Sequence, residues 1–188
     1  PSDREIIELL PTEFIVDDFD GIQDPNDMVG MRLEMKAVAY TAPRNVMGNL
    51  RMAIAKAGLQ LRDFVLTPLA YSKTILDDGQ QEFGTIILDM GAGHTTATVV
   101  HDHQLKFLST FPAGSDNISR DISAVLEVGL HDADMLKLAS GLALSSMARE
   151  DNKLVIKKIS SENAEQISEV LLAQIIEARL MQILDKLG

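Results

Sequence analysis

Residues 84–100 have the sequence GTIILDMGAGHTTATVV, and this stretch carries the strongest structural signal in the chain. An apolar run leads to Asp89, a glycine-rich turn follows, and a second β-branched run ends at Val100. The pattern predicts a strand, a tight turn and a returning strand. Such a turn gathers bare backbone N–H groups and two hydroxyls beside a carboxylate, which suits a phosphate group with Asp89 holding a hydrated Mg²⁺. An ordinary Asp-Gly hairpin between two core strands fits the motif alone equally well.

The composition excludes several classes of protein. With 188 residues, the chain forms one large domain or two small ones. A net charge of −11 argues against a nucleic-acid-binding surface, which needs clustered Lys and Arg, and against attraction to anionic lipid. The absence of Cys excludes disulfides, thiolate zinc sites and cysteine catalysis. The apolar runs are shorter than the ~20 residues that span a bilayer.

The first third of the chain is expected to form a small α+β unit. Its acidic loop does not have the alternating acids of a calcium loop, so we do not expect a metal there. No catalytic constellation occurs in residues 1–66, which favours a binding or assembly module. The predicted elements are two β segments within 4–16 split by Pro11, a loop at 17–26, a strand at 31–41, a helix at 45–57 ended by Gly58, and a strand at 59–66.

The remainder alternates helices and strands. His101 and His103 flank a hairpin turn, and a solvated turn is favoured over a metal site because no third ligand is near. The predicted elements are a helix opened by Pro68 and ended at 77–79, a strand at 104–111, a helix at 120–126 with Ser119 as N-cap, a helix at 133–139 ended by Gly141, a strand at 153–159, and an amphipathic helix at 163–187. The predicted buried stripe of that last helix is Ile167, Val170, Leu171, Gln174, Ile175, Leu180 and Leu184.

Three motifs occur in an order that a known superfamily shares. Residues 89–95, DMGAGHT, resemble the second phosphate loop of the actin, Hsp70 and sugar-kinase superfamily. Residues 112–122, PAGSDNISRDI, resemble its P-x-G-G turn followed by the helix start I-T-x-D-I. Residues 133–137, ADMLK, resemble its A-E-x-x-K helix, whose acid and lysine lie beside the adenosine.

The front of the chain narrows the resemblance to one family. Residues 24–34, DPNDMVGMRLE, match the stretch D-P-x-x-M-x-G-x-R-L-E of the bacterial cell-division family FtsA. The resemblance implies an α/β fold with an actin-like (ribonuclease-H-like) lobe preceded by a small α+β SHS2 (1C) subdomain. It implies three regions: an assembly subdomain at 1–66, a subdomain 2A core with the phosphate loop at 67–120, and an incomplete 2B-like helical region at 121–188.

The resemblance also implies an ATP site without a catalytic residue of its own. Asp89 would hold Mg²⁺ through water, and the other implied ligand-binding residues are Gly91, Gly93, His94 and Thr95 at the β- and γ-phosphates, Gly114 near the sugar-phosphate, and Asp134 and Lys137 at the ribose and adenine. Three departures weaken these contacts: His94 replaces a threonine, Ser115 replaces a second glycine, and Asp134 replaces a glutamate. Taken alone, the pattern of Asp134 and Lys137 favours a solvent-exposed i, i+3 charge pair, and the two companion motifs reverse that preference.

The resemblance implies that the chain is the central piece of a longer protein. An N-terminal phosphate loop and a second adenosine motif are not found, so we expect this piece to bind ATP weakly or not at all. The whole protein would be a division scaffold that binds ATP, with at most slow hydrolysis, polymerises as actin does, and tethers FtsZ to the inner face of the cell membrane at the division septum.

The implied contacts divide between the two halves of the chain. Residues 1–66 would contact other protomers and later division proteins, and the region 121–188 would offer the FtsZ-tail surface. A C-terminal amphipathic helix that this chain does not contain would reach the membrane, and nucleic acid is not an expected partner. An actin-like pilus-assembly scaffold remains an alternative. A small-molecule kinase is another, but it needs a catalytic base that we cannot assign.

Overall fold

The computed structural model describes residues 3–161 and 163–187. The chain divides into two compact units. Unit 1 contains the described residues up to Thr85 together with Val100–Leu105, and unit 2 contains Ile86–Val99 and the described residues from Lys106 onward. The three-region division at residues 66 and 120 stays a prediction.

Unit 1 is built on a three-stranded antiparallel sheet. Its strands are β1 (Arg4–Val16), β2 (Phe19–Ile22) and β3 (Leu33–Pro43), in the order β2-β1-β3. The prediction of two segments split at Pro11 is wrong, because β1 runs through the proline. A register shift between Pro11 and Glu13 accommodates the residue, as bulges commonly do for a proline that cannot donate to the ladder. Strand β2 lies inside the predicted loop, which is a second correction.

A helix follows the sheet as predicted, but the strand expected after it is absent. Helix α1 (Arg44–Lys56) ends before Gly58, which has a φ of +74°. Residues 59–66 form no strand, and Leu59 and Val65 are mostly exposed. An extended segment gains ladder hydrogen bonds only from a neighbouring strand, and none pairs with this segment among the residues the structure describes.

Two short helices complete unit 1. Helix α2 (Thr67–Thr74) carries Pro68 in its first turn, as predicted. The prediction that residues 77–79 only end this helix is incomplete, because Asp77 caps a further helix, α3 (Asp78–Phe83). The Asp77 side chain accepts from the Gln80 N–H at 2.7 Å, and the Gln80 side chain accepts from the Asp77 N–H at 3.0 Å. This reciprocal pair is a capping box, which starts a helix.

The glycine motif lies within a second three-stranded sheet. Its strands are β4 (Thr85–Met90), β5 (Thr95–His101) and β6 (Gln104–Phe111), in the order β4-β5-β6. The predicted strand, turn and returning strand are therefore confirmed, as is the strand at 104–111. Asp102 and His103, which join β5 to β6, both have positive φ angles of 50° and 56°, as a type I′ hairpin turn requires.

Unit 2 packs three helices and a hairpin around one core. The helices are α4 (Ser115–Leu126), α5 (Leu130–Ser140) and α6 (Glu169–Leu184), and the hairpin strands are β7 (Lys153–Lys157) and β8 (Ala164–Ser168). A short 3-10 helix spans Ser145–Met147. The buried core consists of Ile118, Ile122, Leu126, Val128, Ala133, Ile156, Leu172 and Ile176.

All three helices of unit 2 begin at a residue other than the predicted one, and α5 begins at Leu130 rather than at residue 133. Helix α4 begins at Ser115 rather than Arg120, because Gly114 and not Ser119 occupies the N-cap. The predicted helix 163–187 begins only at Glu169, after strand β8 pairs with β7, and the Ser168 hydroxyl accepts from the Leu171 N–H at its start. Pairing with a neighbouring strand outweighs the helical propensity of Ala164, Glu165 and Gln166.

The buried stripe of α6 is rotated from the predicted one. Leu171, Gln174 and Leu184 are exposed, whereas Ile167, Ile175 and Leu180 are partly buried against the core as expected. The fully buried residues of the helix are Leu172, Ala173, Ile176 and Ile183. No helix among the described residues is long and apolar enough to cross a membrane.

Candidate functional site

The glycine motif forms a short loop between β4 and β5. The Gly91 N–H donates to the His94 carbonyl at 3.0 Å, which places Ala92 and Gly93 at the tip. Both tip residues and His94 are exposed. Within the part of the chain that the structure describes, the N–H groups of Ala92 and Gly93 donate to no protein acceptor. The N–H of His94 likewise donates to no acceptor among the described residues, so the loop offers three backbone donors to an anion.

The loop is fixed to the beginning of α4. The Ser115 N–H donates to the Gly91 carbonyl and the Asp116 N–H donates to the Ala92 carbonyl, each at 2.9 Å. The Thr95 hydroxyl donates to the Ala113 carbonyl at 2.7 Å, and Thr95 is 0% exposed. Three hydrogen bonds thus hold the loop on the turn before α4, and the Thr95 hydroxyl is engaged inside the protein.

Gly114 is the point of closest approach between the loop and the helix. A Cβ built on Gly114 would lie 2.4 Å from the Gly91 carbonyl oxygen and 2.5 Å from that of Ala92. The φ of Gly114 is −160°, an extended conformation open to any residue. Packing against the loop, rather than backbone conformation, therefore requires glycine at this position.

The protein itself satisfies the first N–H groups of α4. Besides the two bonds from Ser115 and Asp116 to the loop, the Asn117 N–H donates to the Gly114 carbonyl, and the Asn117 side chain accepts from the Gly114 N–H, both at 3.0 Å. The helix terminus therefore serves as an anchor for the loop, and the loop tip remains the anion-facing part.

Asp89 lies near the end of β4, two residues before the loop, and is half-buried. No group of three His, Asp or Glu side chains able to hold a metal occurs in the described residues. A single carboxylate is nevertheless compatible with Mg²⁺ beside a nucleotide, because Mg²⁺ usually keeps several waters and takes one or two carboxylates together with phosphates. The donor set at Asp89 therefore fits the predicted ion.

A cavity of about 360 Å³ opens between α4 and α5, and Asp116, whose N–H donates to the Ala92 carbonyl of the loop, is one of its lining residues. Its lining residues are Asp116, Ser119, Arg120, Leu130, His131 and Asp134. From Ser115, which contacts the loop, to Arg120, at the cavity, α4 rises by ~7.5 Å. The length of a ribose with one phosphate is of this order, so one nucleotide could reach both places.

Asp134 and Lys137 do form an i, i+3 ion pair, with the Lys137 Nζ 2.7 Å from the Asp134 Oδ1. The Lys137 side chain is only 16% exposed, whereas that of Asp134 is 48% exposed, so the alternative of a fully solvated surface pair does not describe it. Hydrogen bonds from the Lys137 ammonium and then from the Ser119 hydroxyl lower the pKa of Asp134 below its ordinary value. Asp134 therefore lines the cavity as a carboxylate, with Lys137 behind it.

The structure brings the predicted residues into two groups. Gly91, Gly93, His94, Thr95 and Gly114 meet at the loop, and Asp134 and Lys137 meet at the cavity. The sequence reasoning missed Asp116, Ser119, Arg120 and His131 as cavity residues. Asp116, Ser119 and Arg120 meet Asp134 only because α4 packs on α5, a contact that no spacing along the chain indicates. His131 lies three residues before Asp134 on α5, and this i, i+3 spacing does indicate their proximity. What each residue binds stays a prediction.

Comparison with known proteins assigns the family. The sequence model of the cell division protein FtsA matches residues 86–187, and that of the SHS2 domain inserted in FtsA matches residues 1–41. The chain is 42% identical to the FtsA of Enterococcus faecalis over 99% of its length, and 32% identical to that of Bacillus subtilis over 98%. In both comparisons it covers 42% of the relative, so the chain spans about two fifths of the length of these proteins.

Solved structures confirm the predicted fold class. The PilM–PilN complex of type IV pilus biogenesis matches the whole chain with a TM-score of 0.67 at 12% identity, covering 44% of its own chain. MreB5 of Spiroplasma citri bound to ADP matches 77% of the chain with a TM-score of 0.61 at 15% identity, covering 46% of its own chain. At such identities the likeness shows the fold alone, an actin-like α/β lobe that here carries an SHS2 domain. The sequence matches go further, and on their evidence the chain belongs to the FtsA family of bacterial cell division proteins.

Proposed function

We propose that this chain supplies part of the ATP site of a cell-division scaffold. The observation that carries the proposal is that one helix, α4, both anchors the glycine loop through Ser115 and Asp116 and lines the cavity through Ser119. One nucleotide would place its phosphates at the loop and its nucleoside in the cavity.

The phosphate end would be held mainly by backbone groups. The N–H groups of Ala92, Gly93 and His94 are available donors, and they suit phosphate oxygens because the exposed loop presents them together. The Thr95 hydroxyl is engaged with Ala113, so its contribution would be to hold the loop in shape. Asp89 would hold a hydrated Mg²⁺, which would neutralise phosphate charge.

The nucleoside end would be held by the cavity between α4 and α5. The Asp134 carboxylate would accept a hydrogen bond from a sugar hydroxyl, and Leu130 offers apolar surface to a base. Lys137, which the cavity does not reach directly, would act on the ligand through Asp134.

In the whole protein, ATP would serve assembly. Family membership supports a scaffold that polymerises with actin-like geometry, docks the tail of FtsZ on the region 121–188 and contacts other protomers and later division proteins through residues 1–66. The scaffold would lie on the inner face of the membrane at the septum, attached through a segment outside this chain. Hydrolysis would be slow at most, and we assign no catalytic residue.

A pilus-assembly scaffold is the second candidate, because the PilM–PilN structure matches the whole chain. The sequence matches to division proteins at up to 42% identity favour the division scaffold over it. A small-molecule kinase has less support, since no catalytic base is assigned beside the loop.

The test uses the full-length protein that contains this chain. Mg²⁺-ATP is titrated against wild type, Asp89→Ala and the control Asp185→Ala, which lies beyond the end of α6. Sedimentation is then measured with and without FtsZ. We expect wild type and the control to bind ATP and to sediment with FtsZ, and Asp89→Ala to lose ATP binding. ATP binding without self-assembly or FtsZ would favour the pilus scaffold, substrate-dependent ATP turnover would favour a kinase, and no ATP binding by wild type would refute the nucleotide site.

A further inference from the structure

Ser119 joins the two charged side chains behind the cavity. Its hydroxyl donates to the Asp134 Oδ1 at 2.8 Å and accepts from the Lys137 Nζ at 2.8 Å. Ser119 is only 3% exposed, although it lines the inner wall of the cavity. The Ser115 carbonyl is a second acceptor for the same proton at 3.5 Å, and the much shorter bond to the Asp134 carboxylate is the one that orients the hydroxyl.

Lys137 has no donor left for a ligand in this arrangement. Its ammonium group points to three acceptors, namely the Asp134 Oδ1 at 2.7 Å, the Ser119 hydroxyl at 2.8 Å and the Ser115 carbonyl at 3.4 Å. An ammonium group carries three N–H donors, so all three are used. Lys137 therefore restrains its neighbours instead of facing the cavity.

The same bonds use only one of the two carboxylate oxygens of Asp134. Both partners bind the Oδ1 oxygen, and among residues 3–161 and 163–187 none donates to the Oδ2 oxygen. The carboxylate is thus held at one oxygen by two donors from two helices, while its other oxygen remains free at a half-exposed position on the cavity wall.

We propose that Ser119 is a positioning residue that holds the free Asp134 oxygen against a ribose hydroxyl and so makes the site select ribonucleotides over deoxynucleotides. This inference rests on the proposed nucleotide site and adds a specificity determinant to it. Without the Ser119 hydroxyl, Asp134 keeps its charge and its ion pair with Lys137. It loses the bond to α4 that fixes the carboxylate orientation, so the free oxygen no longer meets the sugar hydroxyl in one geometry.

The expected effect is a change of selectivity. A hydrogen bond to a charged group is worth roughly tenfold or more in affinity, so wild type should prefer ATP to at least one of 2′-deoxyATP and 3′-deoxyATP by about that factor. Ser119→Ala should reduce this preference to about twofold or less, by weakening ATP binding while leaving the corresponding deoxynucleotide nearly unchanged.

The measurement is competition of the three nucleotides, each with Mg²⁺, against a fluorescent ATP analogue on the full-length protein. Ser123→Ala is the matched control, because Ser123 lies one turn further along α4 and its hydroxyl donates to the Val128 carbonyl at 2.7 Å, away from the cavity. The Ser123→Ala variant, like Ser119→Ala, loses one serine hydroxyl of α4 and the hydrogen bond that this hydroxyl donates. If Ser119→Ala does not fold, Ser119→Cys replaces it, since a thiol has nearly the same shape but is a weak donor.

Each outcome decides a separate point. Loss of sugar selectivity in the Ser119 variant with selectivity kept in Ser123→Ala would support the inference. Unchanged selectivity in a folded Ser119 variant, or wild type that binds all three nucleotides equally, would overturn the inference and leave the proposed ATP site intact. Wild type that binds no ATP would overturn the proposed function, and the inference with it.

Discussion

Replacing Gly114 by alanine should loosen the glycine loop from α4. The added Cβ would lie 2.4 Å and 2.5 Å from the carbonyl oxygens of Gly91 and Ala92, and 2.8 Å from the Ala92 carbonyl carbon. Such distances are too short for contact, and every near atom belongs to the backbone. The loop must therefore move away from α4, which strains the bonds from Ser115 and Asp116 to the same two carbonyls.

The size of the effect follows from these contacts. Two backbone hydrogen bonds are worth about 1–3 kcal/mol together, and overpacking a close contact costs about 1–3 kcal/mol more. Alanine lowers the entropy of the unfolded chain, which returns about 0.4–1 kcal/mol. The middle values of these ranges sum to about 3 kcal/mol, so the local free energy of opening should fall by roughly 2–4 kcal/mol.

Gly93→Ala is the matched control, because Gly93 lies at the tip of the same loop and a Cβ there meets no atom within 4 Å. Hydrogen exchange of peptides that cover the start of α4 measures local opening in the full-length protein. We expect exchange in Gly114→Ala to be roughly 30- to 1,000-fold faster than in wild type, and exchange in Gly93→Ala to stay within about threefold of it. Equal exchange in the two variants would refute the packing argument for Gly114.

Three further predictions concern other contacts. Arg179→Met breaks a bidentate pair with Asp121, at 2.5 and 2.8 Å and about one third exposed, and should lower the free energy of unfolding in urea by about 1–2 kcal/mol. Hydrogen bonds from the Ser145 hydroxyl and N–H lower the pKa of Glu177 below its ordinary 4.5, so its stabilising contribution is complete above that pH and is lost as the pH falls below it. Glu177→Gln should therefore reduce the loss of stability in acid, measured as the urea midpoint against pH. Asp17→Ala removes the acceptor of two backbone N–H groups, at 2.8 and 2.9 Å, and should speed exchange in residues 28–33 by at least about tenfold.

The chain offers controls for two of these changes. Arg149→Met breaks the pair with Asp151, whose side chains are 72% and 74% exposed, and should leave the urea midpoint of unfolding unchanged, because solvent screens an exposed pair. Asp18→Ala removes the neighbouring carboxylate, which is exposed, and should leave exchange in residues 28–33 unchanged. An equal loss of stability in Arg149→Met and Arg179→Met would contradict the role of partial burial. An unaltered acid response in Glu177→Gln would contradict the role given to its hydrogen bonds with Ser145.

Features that depend on adjacent residues were predictable from the sequence. Gly58 ends α1, Pro68 opens α2, and the glycine motif joins two strands, because each depends on backbone preferences of a few neighbouring residues. The same local logic failed at Ser119, because the local preference of serine for an N-cap is overridden by the bonds of its hydroxyl to Asp134 and Lys137 of α5. Only the packing of α4 against α5 decides between the two positions.

Which face of α6 is buried could not be predicted from the sequence, for a related reason. Adjacent apolar residues occur at Leu171 and Leu172, at Ile175 and Ile176, and at Ile183 and Leu184. A shift of one residue turns the stripe by about 100°, and with apolar pairs both stripes are nearly equally hydrophobic. The buried members of the three pairs are Leu172, Ile176 and Ile183, and the first two lie in the same core cluster as residues of α4.

Helix α4 explains why one ligand is a better hypothesis than two separate ones. Its first residues anchor the loop, Ser119 in its second turn lies on the cavity, and Asp121 ties it to Arg179 of α6. Helix α4 is hydrogen-bonded to the loop at one point and to Asp134 at another. The distance between the donors at the loop tip and the free carboxylate oxygen of Asp134 is therefore fixed by this helix. Two independent ligands would gain no affinity from that fixed distance. A single molecule with phosphates at one end and sugar hydroxyls further along would bind the loop and the cavity together, and the protein would lose little conformational entropy because both places are already ordered. The ion pair between Asp121 of α4 and Arg179 of α6 also links the two helices. A ligand that displaces α4 must therefore move α6 as well or break this pair.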